Sequence, residues 1–414
     1  MSIDTGPSPG FALPGATVTG RIYLARALRD FGDGFVAVLL PVYLSALGMD
    51  AFAIGVTATL ALLGSATMTL AIGIWGARID QRVLLIAAAV LMTATGGAFA
   101  ISSTSALVLM IAFFGTINPS SGSVSIFVPL EHALLAHAVK DADLTHMFAR
   151  YSLVGSLAAA AGALISGSPD FLEAAGLSRM TSLQVMFVLY AILGLLGGAL
   201  YAGLPADGTH TTQAKAVPLG PSKAMVYKLA GLFSVDAFAG GFAVQSLLAL
   251  WLFHKFGLSL TAAGVFFFWS SLLSAFSFPV AAWPARRIGL VNTMVYTHIP
   301  SSLCFMFAAI VPNLELALVL LSVRAALSQM DVPTRSSYVM AVVTPPERAA
   351  AASVTSVPRS LAAALSPALA GALFAAGYEA WPFIICGALK ILYDVALLWT
   401  FRHVRPPEEQ AIKA

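Results

Sequence analysis

The chain has 414 residues, 59% of them hydrophobic and only 10% charged. A soluble domain carries about 25% charged residues, so this much apolar surface has no soluble core to fill and lipid must cover it. A formal net charge of +3 gives no footing for nucleic acid. The two cysteines, Cys304 and Cys386, both sit inside apolar runs, which excludes a disulfide framework and points to no metal role.

A membrane helix needs about 20 mostly apolar residues. That ruler predicts twelve spans, at 22–47, 52–76, 83–101, 106–137, 146–167, 181–204, 224–254, 259–283, 290–311, 314–343, 351–376 and 380–401. The segment before them, 1–20, has no basic-then-apolar-then-small order, so the first span itself is expected to direct insertion. The longest polar stretch, 205–222, is rich in Pro, Gly and Thr and reads as a flexible linker between two units, 21–204 and 223–402. Residues 1–20 and 403–414 are then short tails. Placing both tails in the cytoplasm leaves only Arg179 and Lys255 on the outside, with Arg29, Arg324 and Lys390 inside spans. The expected topology is therefore an inner-membrane, multi-pass protein with cytoplasmic termini.

The two units are copies of each other. Arg78 and Arg287 are 209 positions apart, and so are Arg150 and Arg359. Gly55-Val56 and Gly162-Ala163-Leu164 recur at that spacing as Gly264-Val265 and Gly371-Ala372-Leu373. Two parallel repeats in a very apolar chain point to a transporter that rocks one half against the other.

The connector after span two, Gly73-Ile-Trp-Gly-Ala-Arg78-Ile-Asp80-Gln-Arg82, resembles the loop signature of the major facilitator superfamily. Ala77 stands where that family usually has Asp, and Asp80 where it has Gly. The second copy, Ala282-Trp-Pro-Ala-Arg286-Arg287-Ile-Gly289, keeps the Arg and the later Gly. The resemblance, which covers about residues 20–402, implies two six-helix bundles around a central cavity lined by spans 1, 4, 7 and 10. The glycine-rich fifth-span signature of that superfamily's drug antiporters, which ends in Gly-Pro, is not present, so the direction of transport stays open.

Ionisable groups inside spans are expensive, and each is a functional candidate. Arg26, Arg29, Asp30 and Asp33 share an arc of span one, with Arg26–Asp30 and Arg29–Asp33 both spaced for pairing within the helix. Asp33 falls near mid-membrane, and a carboxyl group there can take up and release a proton, as a coupling group must. Asp30 and Asp236 are further candidates. Asp236 sits in the repeat of the span-one segment, Arg29-Asp-Phe-Gly-Asp-Gly34-Phe35 aligning with Asp236-Ala-Phe-Ala-Gly-Gly241-Phe242. It has no basic neighbour one turn away, so its partner must come from another helix or from water. The competing reading for these acids is structural ion pairing.

Span ten carries a polar stripe, Arg324, Ser328, Asp331, Arg335 and Tyr338. Arg324 is a candidate to grip a substrate carboxylate or phosphate through its guanidinium fork, or else to pair with Asp394. Asn118, Ser121 and Ser125 share a face of span four with His132, interrupted by Pro119 and Pro129, and suit hydrogen bonding to a small organic molecule. Trp269 with Phe266 to Phe268 offers an aromatic wall, or ordinary lipid packing. Lys390 and Asp394 read as a structural pair. At the cytoplasmic face, the resemblance implies that Arg78, Asp80, Asp331, Arg335, Arg150 and Arg359 form weak pairs between bundles that close an inner gate.

The expected function is secondary transport of a small organic solute by alternating access, with protons as coupling ion and export as the direction, in a monomer without cofactor. Uptake of an organic anion held by Arg324 is the alternative. A membrane sensor or assembly protein on a transporter fold is the rival of another class. No phosphate-cradling loop or nucleophile–base constellation supports an enzyme.

Overall fold

The structure, a computed structural model, describes residues 14–76, 79–102, 104–120, 125–138, 144–205, 219–344 and 347–402, and every element among them is a helix. Nine stretches among the described residues are long and apolar enough to cross a membrane. Large apolar side chains such as Ile101, Trp75 and Trp399 are 81%, 66% and 77% exposed, as befits a protein whose solvent is lipid.

The first helix, α1 (Pro14–Ala46), runs for 33 residues and begins within the stretch read as a polar tail. Helices α2 (Ala51–Trp75) and α3 (Gln81–Ile101) start at acidic caps. Asp50 accepts the Ala53 N–H and Asp80 that of Arg82, each satisfying a donor that has no partner within the helix. Then come α6 (Leu144–Ile165), a short α7 (Ser168–Ala174) and α8 (Arg179–Ala202). In the second half, α11 (Leu260–Val280) continues into α12 (Ala282–Ile288), followed by α13 (Leu290–Ile310), α16 (Arg348–Ala375) and α17 (Trp381–Phe401).

Three expected spans are each broken in two. Span four is α4 (Ser105–Phe114) and α5 (Phe127–Ala138), span seven is α9 (Lys223–Gly241) and α10 (Gln245–Phe256), and span ten is α14 (Leu314–Ser328) and α15 (Asp331–Val342). The causes are local. Pro333 has no N–H to give the carbonyl four residues back, at Gln329, so α14 stops there and α15 starts anew around the proline. Pro119 pushes Asn118 out of the helical region. Pro129 and Pro333 both fall in the first turn of their half-helix, where an N–H would have no partner. Span seven parts after Gly240-Gly241, and Val244 is extended there. Joints in spans four and seven meet, the Pro119 carbonyl accepting the Ser246 N–H at 3.0 Å.

Within the first half, α1 packs on α6 and α8, and α3 on α8; within the second, α9 packs on α16 and α17, and α13 on α14 and α17. The halves meet where α2 crosses α16 and where α6 crosses α11. Three of the repeated glycines, Gly55, Gly264 and Gly371, stand at those crossings, while Gly162 packs against Phe31 of α1. A Cβ on Gly55 would lie 2.9 Å from the Gly371 Cα, and one on Gly264 would lie 2.7 Å from the Ala163 carbonyl oxygen, so only glycine lets the backbones approach this closely. Both crossings lie at the face away from the termini, here called the far face. There the Asp170 carboxylate also accepts the backbone N–H and hydroxyl of Thr261, at 2.9 and 2.8 Å, from the opposite bundle. Thr59 accepts the Ala368 N–H at 2.9 Å.

Candidate functional site

Each bundle holds a dry cluster of charges, assembled from the inner half-helices of the broken spans. In the first bundle, the Arg29 guanidinium donates to both carboxylate oxygens of Glu131 on α5, each at 3.0 Å. Tyr201 donates to the same carboxylate at 2.5 Å, and Tyr151 adds a second hydroxyl. Glu131 is fully buried, and its oxygens are saturated. Arg26 pairs with Asp30 at 2.6 Å, as the spacing allows. Arg29 and Asp33 do not pair as the spacing also allows. A planar fork finds two parallel bonds at Glu131, against one in the helical geometry of Asp33. Asp33 is 2% exposed, and its hydrogen bond comes from the Tyr190 hydroxyl at 3.3 Å.

In the second bundle, Asp236 on α9 receives Lys390 at 2.7 Å and Arg335 at 3.2 Å. Its partners thus come from other helices, as the bare turn around it requires. Arg335 also holds Asp331 at 3.0 Å. Lys390 does not pair with Asp394; His298 does, through Nδ1 at 3.1 Å. The two clusters are charge-swapped copies. Arg29 corresponds to Asp236 in the repeat, and Glu131 and Arg335 are each the fifth residue of their half-helix. An Arg–Glu pair in one bundle answers an Asp–Arg pair in the other.

The remaining candidates are spread out. Arg324 places its guanidinium 4.2 Å from the Phe305 ring centroid. No acid lies within ion-pair distance of it among the described residues, and Asp394 is engaged elsewhere. Asn118 is buried and accepts the Ser120 N–H at 2.9 Å, Ser125 accepts that of Phe127 at 3.3 Å, and Ser328 closes α14. These groups brace the broken helices. Trp269 is 55% exposed beside Phe268. Of the terminal-face charges, Asp80 caps α3, Arg150 is exposed, Arg359 is half-buried, and Asp331 and Arg335 belong to the buried cluster. Ser121 and Arg78 lie outside the described residues. Sequence reasoning missed Glu131, Tyr201 and His298. An acid inside the apolar run Phe127-Val-Pro-Leu-Glu131-His132-Ala-Leu-Leu was the signal for the first.

The family model for the Major Facilitator Superfamily matches residues 22–323 and 230–414. The chain belongs to the major facilitator superfamily. Among its relatives, an uncharacterised membrane protein of Saccharomyces cerevisiae, YJR124C, is 26% identical over 90% of this chain and 92% of that one. Among solved structures, a bacterial homologue of the human lysosomal transporter Spinster, inward-facing and occupied, superposes with a TM-score of 0.74 at 13% identity, covering 96% of this chain and 98% of that one. The nucleoside transporter NupG gives 0.72 at 14% identity, over 93% and 99%. These likenesses show a shared all-helical transporter fold. Family membership makes this superfamily chain a multi-pass secondary transporter of a small molecule, not an enzyme.

Proposed function

We propose that the protein is a proton-coupled exporter of a small organic solute, with Asp33 as the proton carrier. One observation carries the reading. The first cluster sets the guanidiniums of Arg26 and Arg29 against the carboxyls of Asp30, Glu131 and Asp33, leaving an acid in excess. Glu131 is saturated with donors and Asp30 is ion-paired, so the excess falls on Asp33, which has a single tyrosine hydroxyl. A proton on Asp33 balances the cluster, and its loss leaves a buried charge that demands a new partner. Competition between proton and solute for that partner gives antiport. The bias of basic residues toward one face supports termini in the cytoplasm of a plasma membrane. On that orientation the far-face crossings lie at the outside, where they act as the closed gate. The terminal-face charges Arg78, Asp80, Arg150 and Arg359 remain candidates for closing the other side.

The test begins with a thermal-shift screen for ligands, since a substrate raises the melting temperature by mass action. In proteoliposomes, Asp33→Asn then abolishes transport driven by a pH gradient and preserves exchange of that ligand. Full gradient-driven accumulation in the variant removes Asp33 from the mechanism.

A second reading, uptake of an organic anion, rests on Arg324, which has no acidic partner among the described residues. Under it, Arg324→Ala raises the dissociation constant of an anionic ligand by about tenfold or more, because losing a charged hydrogen bond costs roughly 1.5–3 kcal/mol. Unchanged affinity with a lower melting temperature assigns the arginine to its stacking on Phe305 instead.

A further inference from the structure

His298 sits in α13, 3% exposed, between a base and an acid of α17. Its Nε2 lies 3.3 Å from the Lys390 Nζ, and its Nδ1 lies 3.1 Å from an Asp394 carboxylate oxygen. An ammonium can only donate and a carboxylate can only accept. The contacts therefore fix the tautomer, with Nε2 accepting from Lys390 and the proton on Nδ1 donated to Asp394. The other Asp394 oxygen is buried and has no hydrogen-bond partner. Lys390 in turn is the nearest cation to Asp236, and the Asp236 carboxylate stands 3.9 Å from the His298 Nε2.

Resting on the reading that transport is proton-coupled, we propose that Lys390, His298 and Asp394 form a second proton-binding station, in which the imidazole relays a proton from the Asp236 side of the bundle to Asp394. The step balances. Lys390 gives one proton to Nε2, and His298 releases the one on Nδ1 to the carboxylate. A neutral amine, a neutral imidazole protonated on Nε2 and a neutral carboxylic acid result. A proton arriving beside Asp236 restores the ammonium, which gives up its bond to the now protonated Nε2 and donates to Asp236, so the station has gained one proton, stored on Asp394.

The charged surroundings single out this triad. Around it are Asp236 from α9, Asp331 and Arg335 from α15, and Cys386 and Tyr393 from α17, with Arg324 of α14 near Cys386 and Arg359 of α16 near Asp236, while α12 carries only Arg286 and Arg287 at its terminal-face end. Asp236 and Asp331 share Arg335. Among the described residues Asp394 has only the imidazole as hydrogen-bond partner, and the ring's two nitrogens make it a conductor as well as a partner. While the lysine is neutral, Asp236 loses its nearest cation and keeps Arg335 alone. A proton moved beside peripheral α17 is thereby felt on α9.

The test uses the full chain in lipid nanodiscs, without substrate and with nitrogen-15-labelled histidine. The chain has 7 histidines, and the signal lost in His298→Gln assigns this one. At neutral pH it reports a proton on Nδ1 and a bare Nε2. In pH-difference infrared spectra, a carboxylic-acid band appears on acidification, and both Asp394→Asn and His298→Gln remove it. A proton found on Nε2, or on both nitrogens, at neutral pH overturns the proposal, and so does a band that His298→Gln leaves in place. Should His298→Gln fail to fold, the band is judged with His298→Asn, whose amide donates where Nδ1–H does but cannot relay. Its persistence there also refutes the station. Wild-type protein that shows this tautomer and band yet no gradient-driven transport sinks the coupling reading alone.

Discussion

Replacing Gly371 by alanine places a methyl group where two backbones touch. An ideal Cβ there lies 2.5 Å from the Ala51 carbonyl oxygen and 2.9 Å from the Gly55 Cα. Both neighbours are main chain, so no rotamer change relieves the clash and the helices must separate. Overpacking of this kind costs about 1–3 kcal/mol, and the cost exists only while the far face is closed. The balance between closed and open far face then shifts toward open by roughly 5–150-fold. Gly264→Ala does the same at the other crossing, because its Cβ meets the Ala163 carbonyl oxygen at 2.7 Å. Electron–electron double resonance reads the shift between spin labels at Ala46 and His254, which are exposed on opposite bundles. Cys304 and Cys386 are changed to serine for the labelling. Gly231→Ala is the control, since nothing lies within 4 Å of its Cβ. Both glycine variants should populate a longer distance and the control should not. An unchanged distribution in both means that the crossings do not seal the far face.

Two further outcomes follow from the charges. Glu131→Gln removes one partner of a buried pair and should cost about 3–5 kcal/mol of stability, whereas Asp33→Asn, which loses no ion pair, should melt close to wild type; equal losses would refute the division into anchor and carrier. Outside the membrane, hydrogen bonds from Ser222, Thr344 and Gly220 hold the Glu347 carboxyl down to about 2, from an ordinary 4.5. Its folded form therefore gains stability that is fully present above pH 4.5 and is lost as pH falls toward 2. Melting temperatures of Glu347→Gln should fall less over that range than those of wild type, and parallel acid limbs would count against it.

The all-helical membrane fold and the internal repeat were legible because each depends on local apolar length or on spacing along the chain. Repeated glycines were visible as a pattern, but not as contacts, since Gly55 meets Gly371 rather than its own copy at Gly264. Asp33 and Asp236 stood out as acids in apolar surroundings. Their partners did not, because Glu131, Tyr190, Lys390 and His298 arrive from helices far along the chain, and nothing in spacing ranks a distant bidentate acceptor above a near monodentate one. Proline positions were readable, yet their consequence depended on the turn in which each fell. Pro129 and Pro333 are each the third residue of a half-helix, whereas Pro41, Pro279 and Pro300 lie inside helices that continue through them.

The joints in spans four, seven and ten carry a mechanical consequence. Glu131, Asp236 and Arg335 all ride on half-helices that leave the outer halves of their spans at a joint, without the continuous i→i−4 ladder that stiffens an intact helix. The outer halves α4 and α10 stay anchored in the far-face half, where the Pro119 carbonyl ties the two joints together. A change of charge at Asp236 therefore acts on a short lever, close to its fulcrum at mid-membrane, whereas Asp33 rides on the unbroken α1. Such a lever can swing through the cavity while the seal behind it stays shut.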